Sequence, residues 1–240
     1  MLSIVIPTYN EEKYLPRLLQ SIRLQSFVDY EIIVADNNST DATVAIAKQY
    51  GAIITSGGLP GKGRNEGAKI TSGNVLLFLD ADVLLQEKDF LSDCLLEFLS
   101  KKLDIATCCI TPLSDRKVDL IGHEVYNIFM SATEKFLPYA PGFCIFARKS
   151  VHDRIGGFDE AVLFAEDSDY VQRAKKIAKF GLLKSHKIPV SVRRLERDGR
   201  LNVVIKYILA SLHMAVLGSV KTNIFNYTFG YEKKEQPRNI

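Results

Sequence analysis

The stretch that most restricts what this chain can fold into is Gly73-Asn74-Val75-Leu76-Leu77-Phe78-Leu79-Asp80-Ala81-Asp82-Val83. The run from Val75 to Leu79 is apolar without a break, so it reads as a strand buried on both faces of a sheet. It ends directly in acids. Open α/β sheets bind ligands at the carboxyl ends of their strands. If the strand continues, Asp80 and Asp82 point the same way. Two carboxylates converging there suit a hard divalent cation that holds a phosphorylated ligand. The plainer alternative is a capped strand end, with one Asp in a turn and the other opening a helix. Asp-x-Asp alone does not separate these readings.

The flanking sequence supplies the context. Leu2-Ser3-Ile4-Val5-Ile6 predicts a buried strand, stopped by Pro7. Asn10 is a candidate cap for a helix over about 11–25, although Pro16 favours a start nearer Leu15. Glu31 to Ala35 reads as a second strand ending at Asp36, and Ser39 or Thr40 as the cap of a helix through about Tyr50. Ala52 to Thr55 is a short strand. Gly57 to Gly63 reads as a loop, followed by a helix from about Arg64 to Thr71. Beyond Asp82 the pattern predicts a helix over about 88–100, a strand over 105–110 and helical spacing within 118–136. A strand over 142–147, a helical turn over 151–155 and a helix from Glu166 to about Phe180 follow. Strand–helix alternation at this spacing argues for a mostly parallel sheet with right-handed crossovers.

Several function classes are excluded. The P-loop pattern fails, because Ser56 stands where its first glycine belongs and Gly63 follows Lys62. The dinucleotide pattern fails as well, with Glu66 at its third glycine and Gly67 one residue late. A net charge of +3 without a basic stripe gives no argument for nucleic acid. Cys94, Cys108, Cys109 and Cys144 lie in or beside apolar runs without C-x-x-C spacing, which suits reduced, buried thiols in a cytoplasmic protein. The N-terminus lacks the basic region and apolar length of a signal peptide.

In this order and at these distances, the motifs resemble the family 2 glycosyltransferases of the GT-A fold. The pieces are Ile4 to Glu11, Ile33 to Asp41, Gly63-Arg64-Asn65-Glu66-Gly67, Leu79 to Asp82, Gly156-Gly157-Phe158-Asp159-Glu160 and Glu166-Asp167. The resemblance covers roughly residues 2–195. It implies an α/β, Rossmann-like nucleotide-diphospho-sugar transferase fold: a mostly parallel central sheet flanked by helices, with a C-terminal helical extension. It also implies transfer of a sugar from a nucleotide-diphosphate donor, dependent on Mn²⁺ or Mg²⁺. Carried over residue by residue, Pro7, Tyr9 and Glu11 frame the nucleotide, and Asp36 accepts a hydrogen bond from the base. Arg64 approaches the diphosphate, with Lys62 as its rival. Asp82 ligates the metal, and Asp80 contacts the ribose or the metal. Asp167 is the expected general base, with Glu166 holding an acceptor hydroxyl and Asp169 second to Asp167. For Glu11, Asp36 and the acids at 166–169, helix-start or turn capping is the competing reading. His186 is the one histidine placed to add a metal ligand, against the plainer reading of a packed side chain. Two other classes remain: a nucleotidyltransferase that makes nucleotide sugars, and a non-catalytic nucleotide-sugar binding protein. Against the first, the loop after strand one is Pro7-Thr8-Tyr9-Asn10, not a Gly-rich, Arg-containing loop.

The expected division is a transferase domain over 1–195 and an extension over 196–240, made of a basic loop, an apolar helix and a charged tail. The segment from Arg193 to Arg200 reads either as a flexible basic loop that closes over the diphosphate or as a solvated linker. Leu201 to Val220 has a wide apolar helical face and a narrow polar stripe of Asn202, Lys206 and His213. Such a helix packs on the domain or a twin subunit, lies on a membrane surface, or spans the bilayer. The expected location is the cytoplasm, at the inner face of the membrane, and the acceptor is an unidentified glycan, lipid or small molecule.

Overall fold

The computed structural model describes residues 1–222 and residue 224; the charged tail expected over 232–238 lies outside them. The elements in chain order are β1 Leu2–Thr8, α1 Leu15–Arg23, β2 Tyr30–Asp36, α2 Thr43–Gln49, β3 Ile53–Ser56, α3 Pro60–Lys69, β4 Val75–Leu79 and α4 Phe90–Ser100. They continue with β5 Ile105–Pro112, α5 Lys117–Thr133, β6 Cys144–Arg148, α6 Lys149–Arg154, α7 Glu166–Lys175, β7 Phe180–Val190, α8 Arg193–Asp198 and α9 Arg200–Leu217. The described strands form a seven-stranded sheet in the order β3-β2-β1-β4-β6-β5-β7.

The expected α/β architecture with a mostly parallel sheet is what forms, and the pairing explains where ligands would gather. β1, β2, β3 and β4 run parallel, and Thr8 lies level with Asp36. β6 is antiparallel to both β4 and β5, with Leu79 opposite Cys144. The residues just before β6 therefore arrive at the carboxyl end of β4. β7 runs parallel to β5, so Val190 and the segment after it return to that same edge. Strand side chains alternate between two apolar layers. Ile4, Ile6, Leu77 and Leu79 pack with α1 and α4, whereas Val5, Ile33, Leu76 and Phe78 pack with α6 and α7 residues.

Several local expectations are corrected. α3 begins at Pro60, so Gly61-Lys62-Gly63 is helical and not a loop tip; Pro at the helix start supplies a preset φ where no N–H is needed. Gly67, late for a dinucleotide motif, lies where a Cβ would meet Val5 Cγ1 at 2.3 Å, so its role is to seat α3 on β1. Asn10 caps no helix: at φ 53° its side chain accepts from Thr40 N at 2.9 Å, and its own N–H donates to Ser39 at 2.8 Å. Neither Ser39 nor Thr40 caps α2, whose first turn is met instead by Asp41 and Glu12. α7 stops at Lys175, and the unforeseen strand β7 follows. The segment after Ser191 is not a loop but the short helix α8.

Candidate active site

The site assembles at the carboxyl edge from loops that the sheet order brings together. After β1, Glu11 is buried, with its N–H donated to Thr43 Oγ1 at 2.8 Å. After β2, Asp36 is buried and closes a turn: it accepts from Thr8 Oγ1 at 2.9 Å, Ser39 N at 2.8 Å and Ser39 Oγ at 2.6 Å. Two loops far apart in sequence are thereby stitched into one floor. Pro7 and Tyr9 are half-buried in that floor, beside the chain turn at Asn10.

Asp80 and Asp82 leave β4 toward two different arginines. Asp80 accepts from Arg64 Nη2 at 2.7 Å. Arg64 is 1% exposed, and its Nη1 donates to Glu166 at 2.8 Å. The Arg64 guanidinium thus bridges the end of β4 to the start of α7, and it lies over the Phe158 ring. Asp167 completes this side, with Oδ2 accepting from Gly142 N at 2.6 Å and Oδ1 from Ser168 N at 2.7 Å. A Cβ at Gly142 would come within 2.4 Å of Arg64 Nη2, so the residue must be glycine for the loop before β6 to reach the acids. Burial, and then the neighbouring Glu166 charge, push the Asp167 carboxyl up to about 7 against the pull of Arg64. Ala165, just before these acids, is left-handed at φ 57°, a conformation costing a non-glycine residue roughly 1–2 kcal/mol.

Asn65, beside Arg64, holds the Gly156-Gly157 turn. Its side chain donates to Phe158 O at 2.9 Å and accepts from Phe158 N at 2.8 Å. Gly157 has φ +70° and would press a Cβ onto Asn65. Asp169 does not face the acid cluster; it pairs with Arg173 at 2.7 Å and accepts from Ser219. His186 packs on Phe90 and lies 2.8 Å from Asp93, away from the other predicted site residues. Lys62 lies in the first turn of α3, packed beside Gly58.

The other half of the site brings in the segment read as a basic loop over the diphosphate or a solvated linker; its pairing with Glu11 and Asp82 was not foreseen. Arg193, at the start of α8, places Nη2 and Nη1 at 2.7 and 2.8 Å from the two Glu11 oxygens and Nε at 2.8 Å from Asp82 Oδ2. Its guanidinium stacks 4.2 Å above the Tyr14 ring. Burial raises the carboxyl pKa of both Glu11 and Asp82, and Arg193 opposes that rise. A cleft of about 550 Å³ opens beside them, lined by Tyr14, Arg17, Asp82, Arg116, Arg193 and Glu196. Its size suits a ligand of several hundred daltons. The basic run that starts at Arg193-Arg194 was the available signal, but only the β5–β7 pairing reveals that it returns to Asp82.

The residues here fit a divalent cation. Asp80 and Asp82 are hard oxygen donors at one strand end, and Asp82 already holds a cationic group. Among the described residues no group of three or more His, Cys, Asp or Glu side chains converges on one point. A metal bound by these two acids would therefore draw its remaining ligands from a phosphorylated partner or water.

Comparison with known proteins bears on the family and the fold. The family model described as glycosyl transferase family 2 matches residues 3–156. The chain is 39% identical over 90 residues to the poly(ribitol-phosphate) beta-N-acetylglucosaminyltransferase TarS of Staphylococcus aureus, covering 33% of this chain and 16% of that protein. It is 26% identical over 209 residues to the O-antigen chain rhamnosyltransferase RfbN of Salmonella typhimurium, covering 74% of this chain and 63% of that one. The chain thus spans only a small part of TarS. Among solved structures, the fold is similar to the mannosyltransferase PcManGT from Pyrobaculum calidifontis in complex with GDP-Man and Mn²⁺, at a TM-score of 0.72 and 19% identity over 92% of this chain and 65% of that one. It is also similar to S. aureus TarS 1–349 in complex with UDP-GlcNAc, at a TM-score of 0.65 and 25% identity over 79% and 58%.

Proposed function

The chain belongs to glycosyl transferase family 2, and from that premise we propose that it moves a sugar from a nucleotide-diphosphate donor to an acceptor hydroxyl by direct displacement, with inversion. The observation that carries this reading is the Asp80–Arg64–Glu166 bridge, at 2.7 and 2.8 Å. It fixes a donor-side carboxylate and an acid pair on one buried cation, the separation of duties that glycosyl transfer needs.

In this reading, residues 1–195 form the transferase unit. The β1 and β2 loops, with Pro7, Tyr9, Glu11 and Asp36, hold the nucleoside. Asp82, with Asp80, holds Mn²⁺ or Mg²⁺, which when bound neutralises charge on the leaving diphosphate. Arg64 orients Asp80 and Glu166 and does not lie open to the phosphates. Asp167 takes the acceptor proton as the new bond forms, and Glu166 positions the acceptor. A carboxyl near 7 suits this task, being about half ionised at neutral pH yet basic enough to accept a proton. The PcManGT and TarS complexes with GDP-Man and UDP-GlcNAc support a nucleotide-sugar donor. The exposed apolar faces of α5 and α9 support an acceptor met at a membrane surface, and the location proposed with it is the cytoplasmic face of that membrane.

A thermal-shift panel of UDP-, GDP- and dTDP-sugars, with and without Mn²⁺, tests the donor reading. At one hundred times Kd a ligand stabilises the native state by about 2.7 kcal/mol, or on the order of 5–10 °C for a chain of this size. The shift is expected with one base class and to depend on the cation. No shift with any of them would overturn the proposal.

A further inference from the structure

Arg193 occupies the place where a donor's charge must be accommodated. It is 12% exposed and makes three contacts of 2.7–2.8 Å to Glu11 and Asp82. The element that carries it is short and lies at the surface. α8 spans only Arg193–Asp198 and has no fully buried residue, and it ends at Gly199 with φ 82°. Its charged first side chain is therefore a principal tie between this segment and the site. A guanidinium also pairs readily with phosphate oxygens in two-pronged fashion.

We propose that Arg193 is a built-in counter-cation for the donor site. In the donor-free protein it neutralises Glu11 and Asp82 and so suppresses binding of a free divalent cation. When nucleotide diphosphate and metal arrive together, the metal replaces it on Asp82 and Arg193 turns to the diphosphate oxygens. Asp82 exchanges a guanidinium for the metal, and the diphosphate gains the guanidinium that Asp82 and Glu11 gave up. Tyr14 offers an aromatic platform that a planar guanidinium slides over without losing its stacking. The consequence is ordered binding, in which metal alone is held weakly and metal with nucleotide tightly. This rests on the glycosyltransferase reading above and adds a role for a residue outside the predicted site.

The test compares the full chain with Arg193→Gln and Arg193→Lys. Mn²⁺ binding is followed by the electron paramagnetic resonance signal of the free ion, first alone and then with UDP or GDP. The expected result is a split in opposite directions. Arg193→Gln binds Mn²⁺ alone roughly tenfold more tightly, and UDP or GDP in saturating Mn²⁺ roughly tenfold more weakly, as losing one close charge pair implies. Arg193→Lys keeps Mn²⁺ alone weak. A purely structural role would weaken both, because a loosened site binds everything less well. Unchanged or weaker Mn²⁺ affinity in Arg193→Gln, with nucleotide-promoted binding preserved, overturns the counter-cation role and leaves the donor site standing. Absence of nucleotide-promoted Mn²⁺ binding in all three proteins overturns both.

Discussion

At the scale of single residues, Asp167 sets how the protein responds to pH. Its carboxyl is pushed up to about 7 by burial and by Glu166, so the protonated form is favoured by the fold. Two consequences follow with opposite value to the molecule. As a base it must be ionised, so transfer rises with pH through about 7 and levels off above. As a buried charge it costs stability: an unfolded Asp ionises near its ordinary value, so between that value and about 7 the native state binds the extra proton and stability falls as pH rises. Asp167→Asn is therefore expected to melt above the parent at pH 8, with the gap closing toward pH 5. It should lose transfer to a hydroxyl acceptor by about 10²–10⁴-fold while keeping its donor-induced thermal shift. The Asn carbonyl still accepts from Gly142 N, so the loop need not move. Unchanged turnover would remove Asp167 as the base, and an Asn variant that melts lower at pH 8 would remove the buried charge.

At the scale of elements, α3 shows what a sequence gives up and what it withholds. Its position between two strands was legible from alternation, yet its start was missed because Gly61-Lys62-Gly63 looks like a loop. Helix propensity argued against two glycines so close together, and the packing of Gly63 on Pro7 and Gly67 on Val5 outweighed it. The prediction at this scale turns on the same competition. Gly67→Ala should gain up to about 1 kcal/mol in helix propensity and lose about 1–3 kcal/mol to overpacking, because its Cβ meets Val5 Cγ1 at 2.3 Å. A net fall in melting temperature is expected by calorimetry, together with weaker activity, since Arg64 rides on α3. A net rise would mean that the helix and β1 separate freely. The strand-end acids were legible for a related reason: an apolar run ending in carboxylates has few other uses. Asp36 was legible as a residue of the site, while its engagement with Thr8 and Ser39 required knowing that β1 and β2 are neighbours. β7 escaped notice because Lys184, Ser185 and Lys187 interrupt its apolar pattern, and Arg193 was misread as loop because its partners lie nearly the whole chain away.

At the scale of the whole molecule, the unusual feature is apolar surface left exposed among the described residues. α5 and α9 are tied at two points: Arg200 pairs with Asp119 at 2.6 Å near their starts, and Tyr139, beyond the end of α5, reaches Ser211 O. Val118, Ile121, Val125 and Ile128 form an exposed stripe on the first, and Leu201, Ile205, Ile208 and Leu212 form one on the second. Only 17% of the α9 window that is long and apolar enough to cross a membrane is buried. Contiguous apolar surface of this extent on a monomer marks an interaction site. Two facts favour an anionic lipid surface over a second subunit. No Asp or Glu occurs between Asp198 and Glu232, whereas Lys206 does, beside Arg200 and Lys221, which pair with Asp119 and Asp159. Burial first, and then the Asp167 charge, push the Tyr126 hydroxyl on α5 up, so α5 lies within electrostatic reach of that acid. A membrane beneath α5 and α9 would thus present a lipid-borne hydroxyl near Asp167, while the nucleotide approaches from the β1 and β2 loops. Flotation with vesicles is the measurement. The full chain should float with vesicles containing phosphatidylglycerol more than with pure phosphatidylcholine, and lose that excess at high salt, where surface charges are screened. Ile208→Glu with Leu212→Glu should stay unbound yet keep its donor-induced thermal shift, because neither side chain touches the site. Failure to float, together with a concentration-dependent dimer that this double variant abolishes, would assign the face to a second copy of the chain.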